Sequence, residues 1–133
     1  MAEAYIVNAL RTAGGRRKGK LAGVHPAQLA AKVLNALVDS TGVDPSAIED
    51  LIMGCVTQAG EQALNIGRHA ILESNLPTSI PAVSIDRQCG SSQQAMQFAA
   101  QAVMSGTQDI VVAAGVESMT RAWLGLSVPP ESG

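Results

Sequence analysis

Residues 81–95, PAVSIDRQCGSSQQA, decide the fold prediction because they combine an apolar strand, a tight turn and the start of a helix. We expect the strand over residues 82–86 and the helix over Ser91–Met104. Cys89 lies in the turn between them, against the first N–H groups of the helix. Those groups and the positive end of the helix dipole favour a thiolate, so Cys89 is a candidate nucleophile. The alternative is a small buried side chain with no catalytic role.

Strands and helices alternate along the rest of the chain. Apolar runs at residues 5–10, 51–56 and 109–114 predict three further strands. One helix is expected to begin at Pro26 and end before Gly42, and another to run from its cap Asn65 through Glu73. Continuous apolar strands separated by helices predict an α/β fold, a mainly parallel sheet covered by helices on both faces. Residues 115–133 have no clear period and predict an irregular excursion from the sheet.

The composition excludes several classes of protein. Only 15% of the 133 residues are charged, while 47% are hydrophobic, so part of the surface is expected to be covered by a partner subunit or by more chain. A net charge of −2 argues against a nucleic-acid-binding protein. No apolar run approaches the ~20 residues that span a bilayer. Two cysteines do not make a disulfide framework, which favours a reducing, cytoplasmic location.

The loop at residues 11–20, RTAGGRRKGK, carries five of the nine basic residues. A basic, glycine-rich loop after a strand could bind phosphates, for example those of a nucleotide or of coenzyme A. It lacks the spacing of both the Walker motif and the dinucleotide-binding motif. A solvated charged surface is the alternative.

Few other residues are candidates for a catalytic or metal-binding role. Cys55 lies in an apolar strand and is interpreted as structural. His25 stands at a helix start and His69 lies within a helix, so neither is expected to form a Cys–His dyad. No cluster has metal-ligand spacing, and no metal site is predicted. The helix after Cys89 carries a row of glutamines that faces either a polar interface or solvent: Gln93, Gln97 and Gln101.

Residues 84–95, SIDRQCGSSQQA, resemble the nucleophile motif of the thiolases. Four more segments are similar to thiolase segments, in family order and at family spacing: IVNALRT at 6–12, GCVTQAGEQ at 54–62, NIGR at 65–68 and AGVESMTR at 114–121. The likeness covers essentially the whole chain. The sequence around Cys89 is most similar to that of degradative acetyl-CoA acyltransferases, including those acting on bulky or steroid-derived side chains.

The resemblance implies a thiolase-like α/β fold, of which this chain would be an incomplete N-terminal half of an α-β-α-β-α arrangement. Residues 1–114 would be a partial N-terminal domain with strands one to four, and residues 115–133 the beginning of a loop domain. It also implies a homodimer or homotetramer, in which the strand before the nucleophile pairs across a two-fold axis.

The chemistry implied by the resemblance is acyl transfer. The cysteine matching Cys89 attacks the keto carbon of a 3-ketoacyl-CoA, and acetyl-CoA leaves. Coenzyme A then takes the acyl group, so coenzyme A and acyl-CoA are substrates and no permanently bound cofactor is implied. In the family a histidine activates this cysteine and a second cysteine acts as acid and base. Neither motif occurs in this sequence, and Cys55 does not match the second cysteine, so the chain alone is expected to be inactive.

Three alternatives remain open at this point. Another condensing enzyme of the ketoacyl synthase type would share the nucleophilic cysteine. A non-catalytic interaction subunit derived from a thiolase would not use it at all. A redox-sensing thiol would use Cys89 for oxidation instead of acylation.

Overall fold

A computed structural model describes residues 2–130, and its centre is a three-stranded parallel sheet. The strands are β1 (Asp50–Gly54), β2 (Ala82–Ile85) and β3 (Val111–Gly115), in the spatial order β2-β1-β3. In the register, Leu51 of β1 lies opposite both Ala82 and Val112. The predicted parallel sheet is therefore confirmed, and three of the four predicted strands form.

Helix α1 (Pro26–Thr41) precedes β1, while α2 (Ile66–Glu73) connects β1 to β2 and α3 (Ser91–Met104) connects β2 to β3. Their predicted limits are confirmed. The His25 side chain accepts a hydrogen bond from the Ala27 N–H at the start of α1, and Gly42 ends that helix with a left-handed φ of 67°. Asn65 caps α2 by accepting from the Arg68 N–H. Two short 3-10 helices, Pro45–Ala47 and Gly60–Gln62, complete the regular structure of the described residues.

Helices cover both faces of the sheet, because side chains of β1 alternate between two apolar clusters. Leu51 and Met53, both fully buried, pack towards α1 and α2. Ile52 points to the opposite face and packs against Ala95 and Ala99 of α3. Burying a side chain of this size contributes about 1.5–3 kcal/mol. The sheet thus holds α3, and the turn before it, in a fixed position.

The predicted strand at residues 5–10 is wrong, since this segment has no strand structure. Tyr5, Ile6 and Val7 are 79%, 72% and 76% exposed. Local apolar content can indicate an extended segment, but a strand also needs a neighbour for its N–H and C=O groups. The outer edges of β2 and β3 have no neighbouring strand among the described residues, yet residues 5–10 pair with neither, and the Asn8 side chain donates to Ser40 Oγ of α1 at 2.7 Å.

Residues 116–130, after β3, form a series of turns, and residues 131–133 of the predicted excursion lie outside the described residues. No helix or strand occurs at residues 116–130, as the lack of sequence period predicted. None of the helices within residues 2–130 has the length and apolar character needed to cross a bilayer.

The first turn of α3 lies unusually close to the carboxyl ends of β1 and β3. A Cβ atom built on Gly54 would be 2.4 Å from Ser92 N, and one built on Gly115 would be 1.8 Å from Ser92 Oγ. A non-glycine residue at either position would push α3 away from the sheet. These two glycines therefore set the position at which the helix, and Cys89 before it, meets the strand ends.

We expect Gly54→Ala to destabilise the protein by at least about 1–3 kcal/mol, because the new methyl group overlaps the backbone of α3. Urea unfolding followed by circular dichroism measures this loss. Gly14→Ala is the matched control, since a Cβ at Gly14 meets no atom within 4 Å. Equal stability of the two variants would show that the close approach is not a constraint.

Candidate active site

Cys89 is exposed on a sharp turn between β2 and α3. The turn begins where the Asp86 carboxylate accepts a hydrogen bond from the Gln88 N–H at 2.7 Å. Gln88 then takes the left-handed conformation, with φ of 49°. Among residues 2–130, no side-chain hydrogen bond engages the Cys89 thiol. The predicted strand–turn–helix presentation of this residue is thus what the structure contains.

Ser91 fastens the turn from the helix side. Its hydroxyl accepts from the Arg87 N–H at 2.9 Å and donates to the Gln88 carbonyl at 2.6 Å. Both partners precede Cys89 and Ser91 follows it, so these bonds close a small loop around the cysteine. Ser91 is 4% exposed, which shields the bonds from competing water.

Strand β2 is positioned by the N-terminus of α2. The Asn65 side chain donates to the Ala82 carbonyl at 2.8 Å and accepts from Ser84 Oγ at 2.9 Å. Ser84 Oγ in turn accepts from the Gly67 N–H at 3.0 Å. The residue that caps α2 therefore also holds in place the strand that leads to Cys89.

A buried polar network lies at the same end of the sheet and is centred on Glu117. Its carboxylate accepts from the N–H groups of Val56 at 2.8 Å and Thr57 at 3.3 Å, and from Gln62 Nε2 at 2.9 Å. The Gln62 amide also accepts from the Ser118 N–H at 2.7 Å. The loop after β1 and the loop after β3 are thereby joined through one carboxylate and one amide.

Sequence reasoning missed Ser91, Gln62 and Glu117 as positioning residues. Gln62 and Glu117 are 55 positions apart, and no local pattern relates them. The one available signal was that both fall within segments similar to those of a single family, at residues 54–62 and 114–121.

An ion pair ties the segment after β3 to the 3-10 helix at Gly60–Gln62. Arg121 binds the Glu61 carboxylate through two nitrogens, with Nη2 at 2.6 Å from Oε1. The Arg121 guanidinium lowers the pKa of Glu61 below its usual value. His25 Nε2 lies 3.8 Å from the same carboxylate. The segment after β3 is thus fastened to the loop that follows β1.

Neither histidine is placed to activate Cys89 in the described part of the chain. His25 is engaged through Nδ1 as the α1 cap and through Nε2 towards Glu61. His69 is exposed on α2, and no hydrogen bond joins it to Cys89. The prediction that no Cys–His dyad forms from these residues agrees with this placement.

Cys55 differs from Cys89 in every relevant respect. It follows β1, is 1% exposed, and its sulfur lies 3.9 Å from Glu117 Oε2. Burial, and then the negative charge of Glu117, raises the pKa of the Cys55 thiol from 9.0 to about 12. It therefore stays a neutral thiol under ordinary conditions, in agreement with a structural role.

Two small cavities lie beside the turn. One, of about 270 Å³, is lined by residues of three segments: Val56, Thr57, Asp86, Gln88, Leu124, Gly125, Ser127 and Val128. The other, of about 160 Å³, is lined by Arg87, Gly90, Gln93, Gln94 and Gln97. Two of the predicted row of glutamines thus line a polar cavity next to Cys89. No group of three or more histidine, cysteine or acidic side chains within residues 2–130 is arranged to bind a metal.

We expect iodoacetamide to label Cys89 and spare Cys55 in the folded protein, because only Cys89 is exposed. Intact mass should show one adduct on the native protein and two in urea. Cys55→Ala should leave the native adduct in place, and Cys89→Ala should remove it. A native adduct that persists in Cys89→Ala would contradict this assignment.

Stability should fall at alkaline pH because of Cys55. The folded thiol has a raised pKa, so below pH 9 both states are protonated and the pH has no effect through this group. Between pH 9 and 12 the unfolded chain releases the proton first, and the free energy of unfolding decreases. Urea unfolding at a series of pH values should give a smaller decrease for Cys55→Ala than for the natural chain. An equal decrease in the free energy of unfolding for the two proteins would contradict the raised pKa of Cys55.

The chain matches the family described as "Thiolase, N-terminal domain" over residues 4–132. It is 52% identical over 121 residues to a steroid 3-ketoacyl-CoA thiolase of Mycobacterium tuberculosis, covering 91% of this chain and 30% of that protein. It is 43% identical over 123 residues to a beta-ketoadipyl-CoA thiolase of Acinetobacter baylyi, covering 92% of this chain and 31% of that protein.

A 3-ketoacyl-CoA thiolase of Pseudoalteromonas atlantica is 41% identical over 121 residues, covering 90% of this chain and 31% of that protein. The chain thus spans less than a third of the length of these relatives. The matched region, residues 4–132, contains the parallel sheet, the helices on both of its faces and the turn that carries Cys89. By this match and these relatives, the chain belongs to the thiolase family, and it corresponds to the N-terminal part of its relatives.

Proposed function

We propose that Cys89 carries the acyl group in acyl transfer between a 3-ketoacyl-CoA and coenzyme A. The observation that supports this most is the exposed thiol on a turn fixed from three sides, by Asp86, by Ser91 and by the glycines that seat α3. A nucleophile must be both accessible and held in a fixed geometry, and Cys89 meets both conditions. The relatives named above are thiolases, which supports the reaction class.

The proposed reaction has two steps, acylation of Cys89 and transfer of the acyl group to coenzyme A. The Cys89 thiolate adds to the keto carbon of the substrate, and the bond between that carbon and the neighbouring CH₂ breaks. Acetyl-CoA leaves after its carbanion takes a proton, and the acyl group stays on sulfur as a thioester. The thiol of coenzyme A then loses its proton and displaces Cys89, giving the shortened acyl-CoA.

Within residues 2–130 the chain supplies the nucleophile, and no side-chain hydrogen bond joins that thiol to a base. His25 and His69 are placed elsewhere, and Cys55 is a buried neutral thiol. We therefore expect slow acylation of Cys89 and no measurable turnover from the 133-residue chain alone.

Intact mass after incubation with acetyl-CoA tests the acyl-carrying role. We expect one acetyl group on the natural chain and on Cys55→Ala, and none on Cys89→Ala. Thiolysis should be restored when residues 4–132 replace the matching segment of the steroid 3-ketoacyl-CoA thiolase of Mycobacterium tuberculosis. In that chimera Cys89→Ala should lower kcat by at least about a thousandfold. Acylation that persists in Cys89→Ala would refute the proposal. A folded chimera whose kcat is unchanged by Cys89→Ala would also refute it.

A non-catalytic interaction subunit is the second candidate. Several large apolar side chains of α3 are exposed, with Met96 at 50%, Phe98 at 41% and Met104 at 49%. The outer edge of β2 has no neighbouring strand within residues 2–130. These surfaces favour association with a second copy of the chain, in keeping with the proposed homodimer or homotetramer. Light scattering that finds a stable oligomer, together with no acetyl adduct on Cys89, would favour this candidate.

A further inference from the structure

The Glu117 carboxylate lies where the ends of the three strands come together. Glu117 itself follows β3, and it accepts from the N–H groups of Val56 at 2.8 Å and Thr57 at 3.3 Å in the loop after β1. The residue before them connects this loop to β2, because the Cys55 N–H donates at 3.0 Å to the carbonyl of Ile85, the last residue of that strand. One carboxylate thus ties the ends of all three strands of the described sheet to one another.

The hydrogen bonds around Glu117 require an acceptor at this position. Gln62 Oε1 accepts from the Ser118 N–H at 2.7 Å, and Gln62 Nε2 donates to the Thr57 carbonyl at 2.8 Å. These two bonds fix the orientation of the Gln62 amide, so its NH₂ group faces Glu117 at 2.9 Å. The three nitrogen atoms that bond to Glu117, those of Val56, Thr57 and Gln62, are therefore all donors. A carboxylate, which only accepts, is the side chain that satisfies them together.

The contacts held by Glu117 lead directly into the turn that carries Cys89. Ile85 is followed by Asp86, whose carboxylate accepts from the Gln88 N–H at 2.7 Å. Asp86 and Gln88 also line the 270 Å³ cavity, together with the two residues of the loop after β1 whose N–H groups bond to Glu117. Glu117 is therefore linked to the start of the turn by the backbone at Ile85 and by the wall of this cavity.

We infer that Glu117 is a positioning residue for acyl transfer, which acts through the loop after β1 and Ile85 on the turn that presents Cys89. This inference rests on the proposed function, because the acyl-carrying role of Cys89 gives the position of the turn its chemical consequence. Attack on a thioester needs a fixed geometry between nucleophile and substrate, whereas alkylation of an exposed thiol by a small reagent does not. Loss of Glu117 should therefore slow acetylation of Cys89 by acetyl-CoA far more than its alkylation by iodoacetamide.

Two variants of the 133-residue chain separate the position of this carboxylate from its charge. Glu117→Gln keeps the length of the side chain, but whichever way its amide turns, its NH₂ group faces another donor. Glu117→Asp keeps the charge and shortens the side chain, so the carboxylate cannot reach all three donors. Both variants should slow acetylation of Cys89 by at least about tenfold and change its alkylation by less than about twofold. Glu73→Gln, which removes an exposed carboxylate from α2, is the control and should leave both rates unchanged.

Hydrogen exchange followed by NMR measures the positioning without any acyl transfer. In Glu117→Gln, exchange should be faster by at least about tenfold at Val56 and Thr57, which lose an acceptor, and also at Arg87 and Gln88 in the turn. A role confined to the loop after β1 would change only the first pair. In the natural chain, exchange at these four N–H groups should depend on added urea in the same way, because they open as one unit. That measurement does not depend on the folding of a variant.

Several outcomes would overturn the inference. These are unchanged exchange at Arg87 and Gln88 in both variants, and different urea dependences of the two pairs in the natural chain. Equal slowing of acetylation by Glu117→Gln and Glu73→Gln would also overturn it, and normal acetylation of Glu117→Asp would assign the effect to charge alone. If the natural chain takes no acetyl group, the proposed function fails, and hydrogen exchange still decides the role of Glu117. If acetylation occurs and neither variant slows it, only the role of Glu117 fails.

Discussion

The rest of the structure depends on the close approach of the first turn of α3 to the ends of β1 and β3. At Gly54 and Gly115 there is no room for a Cβ atom, because Ser91 and Ser92 occupy that space. The approach places the helix N-terminus, with its unpaired N–H groups and positive dipole, at the carboxyl edge of the parallel sheet. Cys89 precedes this helix by one residue, so its position follows from the packing of backbone against backbone.

The Glu117 carboxylate is the second feature on which this edge of the sheet depends, because it joins the loops that follow β1 and β3. Loops that leave neighbouring strands have backbone N–H groups that need acceptors, and a single carboxylate serves Val56 and Thr57 while Gln62 connects it to Ser118. No buried side-chain nitrogen or oxygen within residues 2–130 lacks a partner. Val56 and Thr57, whose N–H groups this carboxylate accepts, also line the cavity beside Gln88. Burial, and then the same carboxylate, raises the pKa of the Cys55 thiol.

Local signals in the sequence were reliable wherever a short segment determines its own conformation. The limits of α1 and α2 followed from caps and stops at His25, Gly42 and Asn65, because capping is a contact between residues two to four positions apart. The turn at residues 86–90 is similarly local, since Asp86 and Ser91 bond the backbone within it. The strand expected at residues 5–10 failed for the opposite reason. A strand forms only when another segment offers hydrogen bonds, and an apolar run carries no information about that partner.

The sequence by itself determined the alternation of strands and helices, the helix ends and the presence of a cysteine on a strand-to-helix turn, because each of these is encoded within a few residues. It also carried the family likeness through five ordered segments. The tertiary structure alone decided that Gly54 and Gly115 seat α3, that Gln62 and Glu117 meet across 55 residues, and that Cys55 is buried beside a carboxylate. It also brought Lys18, in the loop at residues 11–20, to Thr120 in the segment after β3. Such contacts arise from packing between distant parts of the chain, and pairings of this kind leave no periodic or local mark in the sequence.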